Sequence, residues 1–482
     1  MRWEKMSEMV KAFVGGQWVE GSGGSESYHS AFDGSKLGEF TVCEASDVDR
    51  AVEIARNAQP AWAAVPLLDK VDLMYRAYDL CREVNEEIAR AISAEMGKTI
   101  RESREEMLQY GWGHFRRAAE DMLRFRGMTM PNSETRSIGK RMFVQQYPLG
   151  VVAVISPFNF PVDIPAIAIT YALVAGNTVV WKPSEYCPGS TRLYAQIFER
   201  AGFPEGVFNY VPGFADAGEA LVQNSEVNGL FFTGSTRVGR KIAAAAGAGL
   251  KRTLLELGGN GPIIVHRDAD LDRAVEATIT GCFYMAGQVC TAAERVLVHE
   301  EIHDLFVAKL VDRTKQLRLG DPLDEETDMG PLCNDNVLAQ VTDHVDDARM
   351  LGADVIQTAE VTGRLFPPTI LVNVTEDMKI AREETFGPVA PIIKFGSVDE
   401  ALRIANSTEF GLNAAAFTKD LRDAWRFVDG LQHGTVLINE TTNYWDQLAP
   451  FGGAKASGLG RELSSWALGA FTETKTIVFD VS

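Results

Sequence analysis

Two short runs hold residues able to attack a carbonyl. Cys290 stands in GQVCTAAERV at 287–296, and Glu256 in LLELGGN at 254–260. A cysteine thiolate is a nucleophile and a carboxylate is a base, and a two-step displacement at a carbonyl needs one of each. Both also have ordinary readings. A single Cys in an apolar stretch is often buried and inert, and a lone Glu is usually a solvated surface charge. The chemistry therefore depends on what positions the two residues.

Residues 46–97 read as helices, SDVDRAVEIARNAQPAWAAV with Ser46 or Asp47 as cap, then one amphipathic run from LLDKVD to ISAEM. From 141 to 156 the character is extended, and short β-branched runs then alternate with helical segments. NTVVWKP precedes a helix around 190–201, GVFNYVPG one near 216–223, and GLFFTGS one from about 237. Strands and helices alternating at that spacing predict a parallel α/β sheet covered on both faces. The alternation resumes after 260 with GPIIVH and RVLVHE, so a second α/β domain is expected from about 258, with a cleft between packed domains. The turn GSTRVG at 234–239 follows a strand and opens a helix, where backbone amides can receive a phosphate. A glycine-capped turn has the same pattern. The GxGxxG fingerprint is absent, and GKT at 97–99 lacks the upstream glycine of a P-loop because position 92 is Ile.

A chain of 482 residues with 46% hydrophobic content is long enough for two or three domains and a large core. Its net charge of −19 disfavours nonspecific binding to nucleic acid or anionic membrane. The six cysteines form no CxxC pair, so neither a zinc site nor a disulfide framework is expected, and a reducing cytoplasm is the natural location. The N-terminus lacks an apolar leader core, and no run approaches membrane-spanning length.

Seven runs, in order, resemble the aldehyde dehydrogenase superfamily: SPFNFP at 156–161, WKPSE at 181–185, FTGSTRVG at 232–239, ELGGN at 256–260, GQVC at 287–290, EETFGPV at 383–389 and PFGGAKASGLGRE at 450–462. The resemblance implies a Rossmann-variant cofactor domain over 1–129 and 149–257, an α/β catalytic domain over 258–456 and a β oligomerisation arm over 130–148 and 470–482. It implies a homodimer or homotetramer. It also implies that Cys290 is the nucleophile, that Asn159 and the Cys290 amide hold the oxyanion, and that Glu256 activates the water that hydrolyses a thioester. Ser156, Pro157, Phe158, Lys182, Ser184, Glu185, Gly234, Ser235, Gly239, Leu257, Gly258, Glu384 and Phe386 carry over as cofactor contacts. A carboxylate at 185 favours the free ribose hydroxyls of NAD, while Lys182 leaves NADP open.

Two other readings stay in view. One is a CoA-acylating semialdehyde dehydrogenase, a branch in which the hydrolytic Glu is commonly replaced. The other is a noncatalytic NAD-binding or structural protein on the same fold. The resemblance also implies a substrate tunnel lined with Phe160, Asp163, Ile164, Ile167, Tyr284, Val289, Thr291 and Trp445, with Asn443 beside them. Relatives acting on succinate semialdehyde often carry Arg where Ile167 or Tyr284 stands. Asp163 lies four positions after Asn159, on the same face of a helix begun at Pro161, and is able to receive a substrate hydroxyl or amine. The expectation is a small polar aldehyde of lactaldehyde or semialdehyde type.

Overall fold

The computed structural model describes residues 9–482; the first eight, on which the reading of the N-terminus partly falls, lie outside it. Two mainly parallel sheets carry the molecule. The first runs, edge to edge, through Gly458–Leu459, Arg252–Glu256, Val227–Thr233, Val151–Ile155, Thr178–Lys182, Phe208–Tyr210, Ala12–Val14 and Gln17–Val19. Its middle strands VVAVI and TVVWK are buried along their whole length, as continuous apolar runs must be when helices cover both faces. From Val151–Ile155 the chain adds strands in one direction to Phe208–Tyr210, then returns to place Val227–Thr233 on the other side. That reversal is a switch point, and the crevice beyond its carboxyl ends is where α/β sheets bind ligands. The segments leaving there are Ser156–Asn159 and Gly234–Ser235.

The second sheet has the order Asp354–Gln357, Thr369–Val372, Val389–Phe395, Ala293–His299, Gly261–Val265, Asn413–Phe417 and Thr435–Ile438. Cys290 precedes its strand Ala293–His299, and Glu256 ends the first sheet's strand Arg252–Glu256, so the two meet where the sheets face each other. A third sheet pairs Met128–Met130 with Lys140–Pro148 and Lys140–Pro148 with Thr472–Asp480, the latter in continuous register from Thr472↔Pro148 to Asp480↔Lys140.

Local details differ from the sequence expectations in two places. The first long helix is Ala45–Ala64 and its cap is Glu44, not Ser46 or Asp47; Asp47 reaches back to accept from the Glu44 amide at 3.0 Å, completing a capping box. The amphipathic run beyond it forms two helices, Leu67–Glu83 and Asn85–Met96, parted at Val84, where ψ of 10° leaves the helical range.

Candidate active site

Cys290 sits at the junction of two cavities. The inner one, of about 50 Å³, is walled by Phe160, Ile164, Ile167, Trp445, Phe451 and Leu463, with His114, Asp163, Thr233, Glu256, Glu462 and Cys290 supplying its polar groups. The outer cleft, of about 210 Å³, is formed by Pro157, Phe158, Asn159, Thr233, Gly234, Ser235, Leu257, Gly258, Val337, Gln340, Glu384, Phe386 and Cys290. A nucleophile reached from both sides can hold a substrate in one cavity while a second reactant stands in the other.

The segment after Val151–Ile155 positions Asn159. Its buried side-chain amide donates to the Gln288 carbonyl at 3.1 Å, and its own carbonyl accepts from Lys98 Nζ at 2.7 Å. The following helix is Asp163–Val174, with Val162 at its N-cap, so Asn159 caps nothing and its amide remains directed at the cysteine loop. That loop follows the tight turn Tyr284–Gly287, in which Met285 and Ala286 hold left-handed φ of 52° and 53°. Such backbone strain collects at functional sites.

Glu256 is 3% exposed. Neither of its carboxylate oxygens meets a donor at hydrogen-bond geometry, although Arg461 and the Gly453 amide favour the anion from further off. Burial, and next the charge of Glu462, hold its acid form well above the usual carboxylate range. Burial raises Glu462 in the same way, with Asp163 adding to it. The Cys290 thiol is pushed up by burial first, then by Glu384, Glu256 and Glu462. In each of the three, burial and the neighbouring carboxylates favour the protonated form.

The outer cleft suits a dinucleotide. Gly234 and Ser235 lie at the N-terminus of helix Thr236–Ala248, where Ser235 Oγ accepts from the Val238 amide at 3.4 Å and further amides face a phosphate position. Glu384, pushed up to about 7 by burial, accepts from the Gly259 amide at 2.9 Å and stands on the cleft wall beside Phe386. Lys182 is buried, its amine lowered by desolvation, and lies 3.4 Å from Glu185; neither is among the residues that wall the outer cleft.

Several sequence-predicted residues lie outside these walls. Ser156 Oγ accepts from Trp181 Nε1 at 2.9 Å, and Ser184 Oγ accepts from the Tyr186 amide at 3.3 Å. Gly239 faces Leu257 so closely that a Cβ would come within 2.3 Å of it, so this glycine serves helix-to-strand packing. Three of the expected tunnel residues stand outside the wall of the inner cavity. Tyr284 donates to Glu105 at 3.2 Å, Val289 is buried in the core, and Thr291 donates to Asn443 at 2.8 Å, so none of them borders the inner cavity. Their side chains are committed to neighbours by the turn that presents Cys290.

His114, Phe451, Glu462, Leu463, Val337 and Gln340 were missed. Phe451 and Glu462 fall inside the PFGGAKASGLGRE run, which was a signal for them. His114 comes from helix Gly113–Arg124, and its Nε2 meets Asp163 Oδ1 at 2.6 Å. No pattern in the sequence marked it.

A family model described as "Aldehyde dehydrogenase family" matches residues 18–477. Succinate-semialdehyde dehydrogenase [NADP(+)] of Escherichia coli (strain K12) is 38% identical over 470 residues, covering 96% of each chain. The 3-sulfolactaldehyde dehydrogenase of Pseudomonas putida is 37% identical over 472 residues, covering 97% of this chain and 96% of that one. The crystal structure of succinate-semialdehyde dehydrogenase from Burkholderia pseudomallei superposes with a TM-score of 0.96 at 35% identity, covering 99% of both. With the α/β architecture, a cysteine between two cavities and these matches in agreement, the chain belongs to the aldehyde dehydrogenase family, enzymes that oxidise aldehydes with NAD or NADP.

Proposed function

We propose that Cys290, Asn159 and Glu256 carry the reaction and that the substrate is a small polar aldehyde whose hydroxyl or amine meets Asp163. The observation that carries this reading is the place of Cys290 between the cavities, with Asn159 in the wall of one and Glu256 in the wall of the other. Bound NAD(P) supplies the hydride acceptor. Gly234 and Ser235 would hold its phosphates, Glu384 its ribose hydroxyls, and Leu257, Gly258 and Phe386 would border the ring.

Glu256, as the carboxylate, takes the Cys290 proton and passes it to solvent while the sulfur attacks the aldehyde carbon; the carbonyl π pair moves to oxygen, which the Asn159 amide and the Cys290 N–H stabilise. The C–H bond then breaks with its electron pair leaving as hydride, and the carbonyl re-forms as a thioester on Cys290. Glu256 takes one proton from water as the water oxygen adds to that carbonyl, and the C–S bond breaks to release the Cys290 thiolate and the acid, whose remaining proton passes to solvent to leave the carboxylate. A buried Glu with an elevated proton affinity is a stronger base than a solvated one, so its environment suits this step.

One Asp163 oxygen is held by His114, which leaves the other for a substrate donor. Among the described residues no Lys or Arg borders the inner cavity, and this supports the hydroxylated or amino member of the class over the carboxylated one. Glu185 beside the buried Lys182 supports NAD over NADP. The exposed Met128, Met130, Tyr147 and Phe479 on the third sheet support its use as an arm that pairs subunits into a dimer or tetramer. No helix among the described residues is long and apolar enough to cross a membrane, and a cytoplasmic location fits the cysteine usage.

The test is reduced-cofactor absorbance on mixing the protein with NAD or NADP and plain, hydroxylated, amino, carboxylated and aromatic short aldehydes, with and without CoA. Turnover without CoA, fastest for a hydroxylated or amino aldehyde, is expected. Signal only with CoA assigns the acylating reaction, and silence throughout assigns a noncatalytic role.

A further inference from the structure

The GKT run at 97–99 has a place in this site. Gly97, at φ of 94°, ends helix Asn85–Met96 in the left-handed region, and Thr99 caps helix Ile100–Glu105 through a capping box with Glu102. Lys98 is the one residue between these two stops, and its side chain has no exposed surface. Its ammonium pairs with the equally buried Glu106, donates to the Asn159 carbonyl at 2.7 Å, lies 4.3 Å from the centre of the Phe160 ring and stands 3.9 Å from Met285 Sδ. Glu106 uses its other oxygen to accept from the Val162 amide at 3.0 Å and the Asp163 amide at 2.9 Å. Glu102 accepts from the Met285 amide at 2.7 Å.

One buried ion pair thus grips the Asn159 segment at both ends, by a carbonyl at its start and two amides at its finish, and the same short stretch holds the turn that leads to Cys290. We propose that Lys98 is a positioning residue for the oxyanion amide, an inference that rests on reading Asn159 as an oxyanion donor. The Asn159 amide nitrogen carries two hydrogens, one spent on the Gln288 carbonyl and one left to meet a charge that exists only in the adduct, so its aim depends on where the backbone of residue 159 is held. A lysine bonded to that residue's own carbonyl supplies the fixed point, and Glu106 keeps the lysine from following the new charge.

The experiment is a double-mutant cycle read by single-turnover hydride transfer at saturating NAD and aldehyde. Lys98→Met is made in the native and the Asn159→Ala backgrounds, with NAD affinity measured alongside. In the native background the rate is expected to fall about 10–10²-fold, the scale of a reacting group misplaced by an ångström, while NAD affinity holds within about threefold. In the Asn159→Ala background the same change should cost less than about threefold, because the group it positions is gone. A packing role alone would multiply the two losses, and multiplied losses, or an undiminished rate in Lys98→Met, overturn the proposal. Should Lys98→Met fail to fold around its orphaned carboxylate, Lys98→Met with Glu106→Gln carries the same cycle. If Asn159→Ala itself leaves hydride transfer intact, the reading of Asn159 falls, and the proposal falls with it for that distinct reason.

Discussion

On the proposed mechanism, replacing Asn159 by alanine removes one of two donors to the oxyanion and little else. In the resting protein its amide makes one hydrogen bond, to the Gln288 carbonyl at 3.1 Å, and losing such a bond costs roughly 1 kcal/mol of stability. That is small against the roughly 5–15 kcal/mol that holds a typical domain folded. The main chain stays anchored, because Lys98 bonds the carbonyl of residue 159 and not its side chain. In the adduct the loss is larger, since a preorganised donor in a water-poor cavity contributes about 2.7–4 kcal/mol, or about 10²–10³ in rate. The oxyanion is absent from bound aldehyde, so kcat and kcat/KM should fall together while NAD affinity holds. Stopped-flow appearance of NADH, with NAD affinity measured on the same preparation, separates these quantities. A loss below about tenfold, or one confined to KM, would refute the role given to this amide.

Substituting Glu185 by Gln should raise kcat/KM with NADP relative to NAD by about tenfold, because it removes a carboxylate facing the extra phosphate and leaves Lys182 free to pair with it; an unchanged ratio would dissociate Glu185 from the ribose. Stability should fall as pH rises from about 6.5 to about 8.5, because burial pushes Glu95 and Glu384 up to about 7 and Glu294 up to about 8, so the folded chain keeps protons that the unfolded chain releases. His433, pushed down to about 3 by burial, acts in the opposite sense only below about 6.5, outside that window. Urea midpoints across the window check the sign, and a rising midpoint would contradict it. Asp163→Asn should compress the preference for amino or hydroxylated aldehydes over their plain counterparts by about tenfold, the scale of one hydrogen bond to a charged group, and an unchanged ranking would remove Asp163 from recognition.

The chemistry was legible in the sequence where function constrains contiguous residues. GQVC and PFNFP lie on connections and ELGGN begins at a strand's end, each bringing a polar side chain to the two cavities, and GSTRVG places a strand-to-helix turn at the switch point. What was illegible depends on long-range packing. His114 reaches Asp163 from a helix whose own sequence, GHFRRAAEDMLR, reads as an ordinary surface helix. Lys98 looked like part of a failed P-loop, because only the fold brings Glu106 and the Asn159 carbonyl to it. The contacts of Tyr284 with Glu105 and of Thr291 with Asn443 were likewise illegible, because both join segments far apart in the sequence. Reading Asp163 by helical spacing from Asn159 assumed a helix from Pro161. The helix begins at Asp163, and that residue borders the inner cavity through the turn that precedes it.

The central claim is that a thioester forms on Cys290 and that Glu256 directs its hydrolysis. The direct measurement is intact-protein and peptide mass of Glu256→Gln after mixing with NAD and a turned-over aldehyde. The account predicts one burst of NADH per active site, hydrolysis slowed about 10²–10⁴-fold, and an acyl group retained on the peptide that holds Cys290. Full steady turnover with an unmodified Cys290 peptide would contradict it.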